Sequence, residues 1–188
     1  MTQTEAWNYF VEDPAYVDVL AERLRDGVEM DSAQGLANVM QDRLTGDLSL
    51  IDFGSGPGHY LPVIRRVYTH GAVSYRGIDI IPSSVAIGND HFAADPAVSF
   101  EVGSALAPEK SYRGEACVMS ANTLPHIPSI APLFHFMRDT DTVEAFAFRM
   151  LVGQECVETR KHLSGTDFDG LFESGFQHNN IYSAAYLQ

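Results

Sequence analysis

Between residues 14 and 44 the apolar side chains recur at helical spacing: Tyr16, Val17, Leu20 and Leu24, then Leu36, Val39, Met40 and Leu44. That spacing draws one apolar stripe along each of two helices. Pro14 suits a helix start, because the N–H it lacks would be unpaired there anyway. Ser32 is placed to cap the second helix. The pattern then changes. Leu50–Phe53, Val73–Ile80, Val98–Ala105, Ala116–Asn122 and Val143–Val152 are short and largely apolar, as expected of parallel strands covered on both faces. Helical patterns follow the strands at about His59–Val67, Pro82–Ala93 and Ser129–Met137. This alternation predicts an α/β fold of three layers, with a doubly wound and mostly parallel sheet.

The most informative stretch is Leu50-Ile51-Asp52-Phe53-Gly54-Ser55-Gly56-Pro57-Gly58-His59, an apolar run that ends in an acid and three alternating glycines. Glycines there let the chain turn sharply and let a ligand approach with no Cβ in its way. An open α/β sheet builds a nucleotide site in this place, at the carboxyl end of its first strand. A purely structural turn would also be rich in glycine. The dinucleotide fingerprint Gly-x-Gly-x-x-Gly fails, because its third glycine slot falls on His59. The next strand ends in Asp79, about 20 residues further on, where an acid accepts ribose hydroxyls in sites of this topology. Asp79 is also placed to cap the helix starting near Pro82.

Asp52 with Gly54, Gly56 and Gly58 resembles the first motif of the class I methyltransferases that use S-adenosylmethionine. Val98–Ala105 resembles the third motif of that family, with Ser104 where an aspartate usually binds the adenine amino group. Thr123-Leu124-Pro125-His126-Ile127, just after the fourth strand ends at Asn122, resembles the fourth. The resemblance covers residues 48–152 and makes them a cofactor-binding core. It implies S-adenosylmethionine as cofactor, with Asp52, Gly54, Ser55, Gly56, Gly58, Asp79, Ile80, Ser104, Ala105 and Asn122 at its site. Asp52 would touch the cofactor or hold the loop amides. His126 is the candidate base for a hydroxyl acceptor, the alternative being a histidine bonded within its own loop.

The implied activity is methyl transfer to a small molecule in secondary metabolism, with oxygen preferred and nitrogen or carbon open. Asn122-Thr123-Leu124-Pro125 does not match the amide-methylating signature Asn-Pro-Pro-Tyr. The runner-up is a catalytically silent cofactor-binding partner or regulatory subunit, to which Ser104 and an ending without the family's terminal strands lend weight. A nicotinamide dehydrogenase is disfavoured by His59 and by the lack of a recognisable tyrosine–lysine pair.

Residues 1–46 form a helical region ahead of the core, and such segments in the family often fold over the cofactor as a lid. Trp7, Tyr9 and Phe10 suit a lid, or equally a packing role on the sheet. After the fifth strand, Gly153-Gln154 reads as a tight turn into Glu155–Lys161, making a hairpin. Two endings stay open for residues 153–188. One has a short helix Phe168–Ser174 and a last strand Ile181–Leu187. The other, slightly preferred, has Ser183 capping a helix. That ending lacks the terminal strands of the family, so the chain is truncated or a second subunit in a homo-oligomer covers the sheet edge.

A chain of 188 residues, 45% hydrophobic and 20% charged, is the size of one domain with one sizeable core. It shows neither a membrane-spanning run nor a signal peptide. Cys117 and Cys156 give no disulfide framework and no zinc pattern, so the expected setting is the cytoplasm, with no metal. A net charge of −13 repels a phosphate backbone, and nucleic acid is not an expected partner. The late cations Arg138, Arg149, Arg160, Lys161 and His162 either face an anionic substrate or are solvated charge.

Overall fold

The computed structural model describes residues 14–109, 112, 116–164 and 174–187. Five strands, β1 Leu48–Phe53, β2 Val73–Asp79, β3 Val98–Val102, β4 Cys117–Ala121 and β5 Ala145–Arg149, form one parallel sheet in the order β3-β2-β1-β4-β5. The order runs outward from β1 in both directions. A doubly wound sheet of this kind opens a crevice beyond the carboxyl ends of its central strands, here β1 and β4.

Helices α1 Pro14–Asp26, α2 Asp31–Arg43, α3 Leu61–Val67, α4 Pro82–His91 and α5 Ala131–Arg138 accompany the sheet. Side chains alternate along β1, and so do their partners. Leu48 and Leu50 join one core with Ala37 and Met40 of α2 and Leu61 and Ile64 of α3. Ile51 and Phe53 join the other with Leu133 and Phe136 of α5. Burial on both faces is why these strands read as unbroken apolar runs. The expected three-layer, doubly wound α/β fold is the one observed.

Three local expectations need correction. Ser32 does not cap α2. It lies inside the helix, Met30 precedes the first turn without a side-chain cap bond, and Ser32 Oγ is 2.9 Å from the Tyr60 hydroxyl. The Gly153-Gln154 hairpin does not form. β6 Val152–Gly153 pairs in parallel with β9 Tyr182–Ser183, while β7 Arg160–Ser164 pairs antiparallel with β8 Ser174–His178. A Cβ on Gly153 would lie 2.8 Å from Ile181 Cγ2, so the glycine admits a distant segment rather than making a hairpin turn. Ser183 is extended in β9 and starts no helix. Its Oγ takes the Tyr186 N–H at 3.2 Å, which orders a single turn. Trp7, Tyr9 and Phe10, and the proposed helix at Phe168 up to residue 173, lie outside the described residues. Among the described residues no helix is long and apolar enough to cross a membrane.

Candidate active site

The loop after β1 is shaped by glycines in the left-handed region. Gly54 has φ 80° and Gly56 φ 54°. A Cβ on Gly54 would lie 1.9 Å from Thr123 Oγ1, so the loops after β1 and β4 come this close only because that atom is missing. The same loop is tied to the end of β2, since Gly54 and Ser55 donate their N–H groups to the Ile78 carbonyl at 2.7 and 3.2 Å. Asp79 completes the tie. Its Oδ2 accepts the Gly56 N–H at 2.7 Å and its Oδ1 the Ile81 N–H at 2.9 Å. It thus orders the turn into α4 as well as the glycine loop. A carboxylate accepts about four hydrogen bonds, so further positions remain.

These loops border a cavity of about 520 Å³, a size usual for small-molecule sites. Gly54, Gly56, Asp79, Ile80, Ser104, Ala105 and Asn122 line it, with Tyr16, Leu20 and Arg23 of α1 and Ser32 of α2. His59, Tyr60, Thr123, His126 and Arg149 also contribute. Asn122 has φ 64°, uncommon outside glycine, and its N–H donates to the Arg149 carbonyl at 2.8 Å. Backbone held in that region tends to mark a functional site.

His126 ends a 3-10 turn, Leu124–His126, and its Nδ1 lies 3.3 Å from the His178 carbonyl oxygen. A carbonyl only accepts, so Nδ1 carries the proton and Nε2 the lone pair. Burial lowers the His126 pKa below the usual histidine value, with the His178 bond opposing. The ring is therefore in its basic form at neutral pH. Burial, reinforced by the Arg23 charge, pushes His59 down to about 4. Burial raises Asp79 above the usual carboxylate range, opposed by the amides of Ile81, Gly56 and Ile80. Among the described residues no group of His, Cys, Asp or Glu is arranged to hold a metal ion.

No family model matches the sequence, and no curated protein matches it closely enough to count as a relative. Solved structures do. The glycopeptide N-methyltransferase MtfA superposes with a TM-score of 0.59 at 11% identity, covering 93% of this chain and 84% of that one. A S-adenosylmethionine-dependent methyltransferase from Mesorhizobium loti gives 0.53 at 15% identity, over 83% of this chain and 76% of that one. A methanococcal protein assigned to the same activity, from Methanococcus maripaludis, gives 0.55 at 14% identity, over 73% of this chain. The chain spans 64% of the length of that protein. The fold is that of the S-adenosylmethionine-dependent methyltransferases.

Within this methyltransferase fold, Gly54, Gly56, Asp79, Ile80, Ser104, Ala105, Asn122 and His126 come together at one cavity, as the motifs anticipate. Asp52, Ser55 and Gly58 do not line it. Asp52 is buried beneath the loop, with Oδ2 accepting the Tyr75 hydroxyl at 2.7 Å and Oδ1 without a partner. It bonds no loop amide, which corrects the expectation that it holds the loop. Ser55 Oγ donates to the Gly56 carbonyl at 3.0 Å, and a Cβ on Gly58 would lie 2.5 Å from Phe100 Cζ. These three shape the loop from behind. Sequence reading missed Tyr16, Arg23, Ser32 and Tyr60 as cavity residues, and singled out Arg149 only within the late cations that face an anionic substrate or solvent. Tyr16, Leu20 and Arg23 fall on one face of α1, so polar residues sharing the apolar stripe were the available signal.

Proposed function

We propose that the protein transfers the methyl group of S-adenosylmethionine to a small-molecule acceptor, with a hydroxyl oxygen preferred. The observation carrying this reading is the meeting of Gly54, Gly56, Asp79 and Ser104 at one cavity of a methyltransferase fold. The residues present fit the cofactor. The Gly54 and Gly56 backbone permits approach without a Cβ, and Asp79 keeps acceptor positions for ribose hydroxyls. Ile80 and Ala105 offer apolar contact to adenine. Ser104 Oγ accepts the Leu106 N–H at 3.1 Å and retains a second lone pair for the adenine amino group. Arg23 supplies a charge for the amino-acid carboxylate. Neighbouring structures of MtfA were solved with S-adenosylmethionine, S-adenosylhomocysteine and sinefungin.

When bound, S-adenosylmethionine supplies an electrophilic methyl group on a sulfonium leaving group. The chain itself aligns the partners, excludes water and removes a proton. His126, neutral and proton-bearing at Nδ1, takes the acceptor proton at Nε2. The acceptor is a molecule of secondary metabolism in the cytoplasm, and neither nucleic acid nor membrane is a partner. A second reading, a cofactor-binding subunit without catalysis, is favoured only by Ser104 standing where an aspartate is usual.

Thermal melting tests the cofactor. At about 100-fold above its dissociation constant a ligand adds roughly 2.7 kcal/mol, a midpoint rise of about 5–10 °C for a domain of this size. S-adenosylhomocysteine should give that rise and NAD none. The opposite result overturns the reading. Methyl-labelled cofactor incubated with cell extract separates the two readings, because only an enzyme yields a labelled small molecule.

A further inference from the structure

Arg149 ends β5, is exposed, holds the Asn122 N–H on its carbonyl, and is one of the residues that border the cavity. Arg65, Arg66, Arg76 and Arg138 pair with Asp95, Glu29, Glu101 and Asp139. Among the described residues no acid lies within ion-pair distance of Arg149. In a chain of net charge −13, an unpaired cation at a cavity draws an anion.

Arg149 and Ser32 also line a second groove, of about 440 Å³, whose other walls are Gly35, Leu36, Val39, Phe148, Met150 and Val152. Val39 and Val152 are 55% and 54% exposed, so this apolar surface meets water. Gly35 is informative here. It lies inside α2, where glycine costs about 1 kcal/mol relative to alanine. A Cβ at that position would meet nothing within 4 Å. Its missing side chain therefore relieves no crowding and leaves the groove open.

We propose that the groove and Arg149 form the acceptor subsite, and that the acceptor is an anionic amphiphile. Its carboxylate or phosphate sits on the Arg149 guanidinium, and its apolar body lies in the groove lined by α2 and by Phe148, Met150 and Val152. Guanidinium presents a planar fork of N–H donors that matches either anion in two-point fashion. The proposal rests on the cavity being the methyl-donor site, because Arg149 and Ser32 are the residues the two spaces share.

Calorimetric titration of the full chain tests it. S-adenosylhomocysteine is titrated first. Decanoate, decyl phosphate and decanol follow on the loaded protein, each below its micelle-forming concentration. Decanoate or decyl phosphate should bind, the tighter one naming the anion, and decanol should bind at least about tenfold more weakly. Arg149→Gln should erase that preference. Gly35→Leu, which fills the groove, should weaken both anionic probes by at least about tenfold. Gly35→Leu, outside the cavity lining, should keep the parent affinity for S-adenosylhomocysteine. Equal binding of decanol and the anions, undiminished binding in either variant, or no binding of any probe overturns the proposal. Failure of S-adenosylhomocysteine to bind the parent protein would instead defeat the cofactor reading, with the anion preference still measurable on its own.

Discussion

Asp52 holds one carboxyl oxygen on the Tyr75 hydroxyl and leaves the other unpartnered beneath the glycine loop. Burial lifts its pKa to about 7, with the Tyr75 bond opposing and the Asp79 charge adding. In the unfolded chain such a group loses its proton near pH ~3.9. The folded state therefore binds more protons over the interval between, and stability falls as pH rises through it. Asp52→Asn keeps an oxygen for Tyr75 and carries no charge. Its melting midpoint should match the parent near pH 4, then exceed it by a margin growing to several degrees at about pH 7 and levelling above. Parallel melting profiles for the two proteins would show that Asp52 does not titrate in this range. His126 works in the opposite direction, because burial lowers its pKa. The rate should rise with pH through a value below the ordinary histidine range and be flat from neutrality upward. His126→Gln should cost about 10²-fold or more in kcat, with KM little changed, and should erase that acid limb. A retained limb in the variant would remove His126 from proton transfer.

At the level of elements, the segment after β8 anchors the turn that carries His126. Buried Asn180 donates its N–H to the Pro125 carbonyl at 2.8 Å and its Nδ2 to the Ile127 carbonyl at 3.1 Å, and accepts the Thr159 N–H at 3.3 Å. Asn180→Ala keeps the backbone bond to Pro125 but leaves the Ile127 carbonyl and the Thr159 N–H without their partner, and should cost about 1–3 kcal/mol, read as a lower melting midpoint. Activity should fall further than occupancy by cofactor, because the His126 turn loosens while the glycine loop does not. The five sheet strands were legible in the sequence because each is a short, largely apolar run, and the first four end at loops of recognisable chemistry. The elements after β5 were not. Gly153 reads locally as a turn, yet the atom that decides its role is Ile181 Cγ2, far along the chain. Ser183 has the side chain of a cap and performs that chemistry on Tyr186, but pairing with β6 holds it extended.

Across the whole molecule, the cofactor half of the cavity is assembled from residues within a few positions of a strand end, and that is why motifs found it. Asp79 and Ser104 follow directly from strand boundaries. The remaining lining depends on how α1, α2 and β5 pack around the crevice, which no local pattern encodes. Tyr16, Arg23, Ser32 and Arg149 are brought in by tertiary structure alone, and with them the charge and the groove that bear on the acceptor. On the proposed reading, the sheet built by β1–β5 is a scaffold whose central loops receive a nucleoside and whose β5 side and α2 select the acceptor. A crystal structure of the protein grown with S-adenosylhomocysteine tests this account most directly. Density for the ligand should fill the cavity with its ribose on Asp79 and its adenine beside Ser104 and Ala105. Density placed elsewhere, or an empty cavity at saturating ligand, would contradict it.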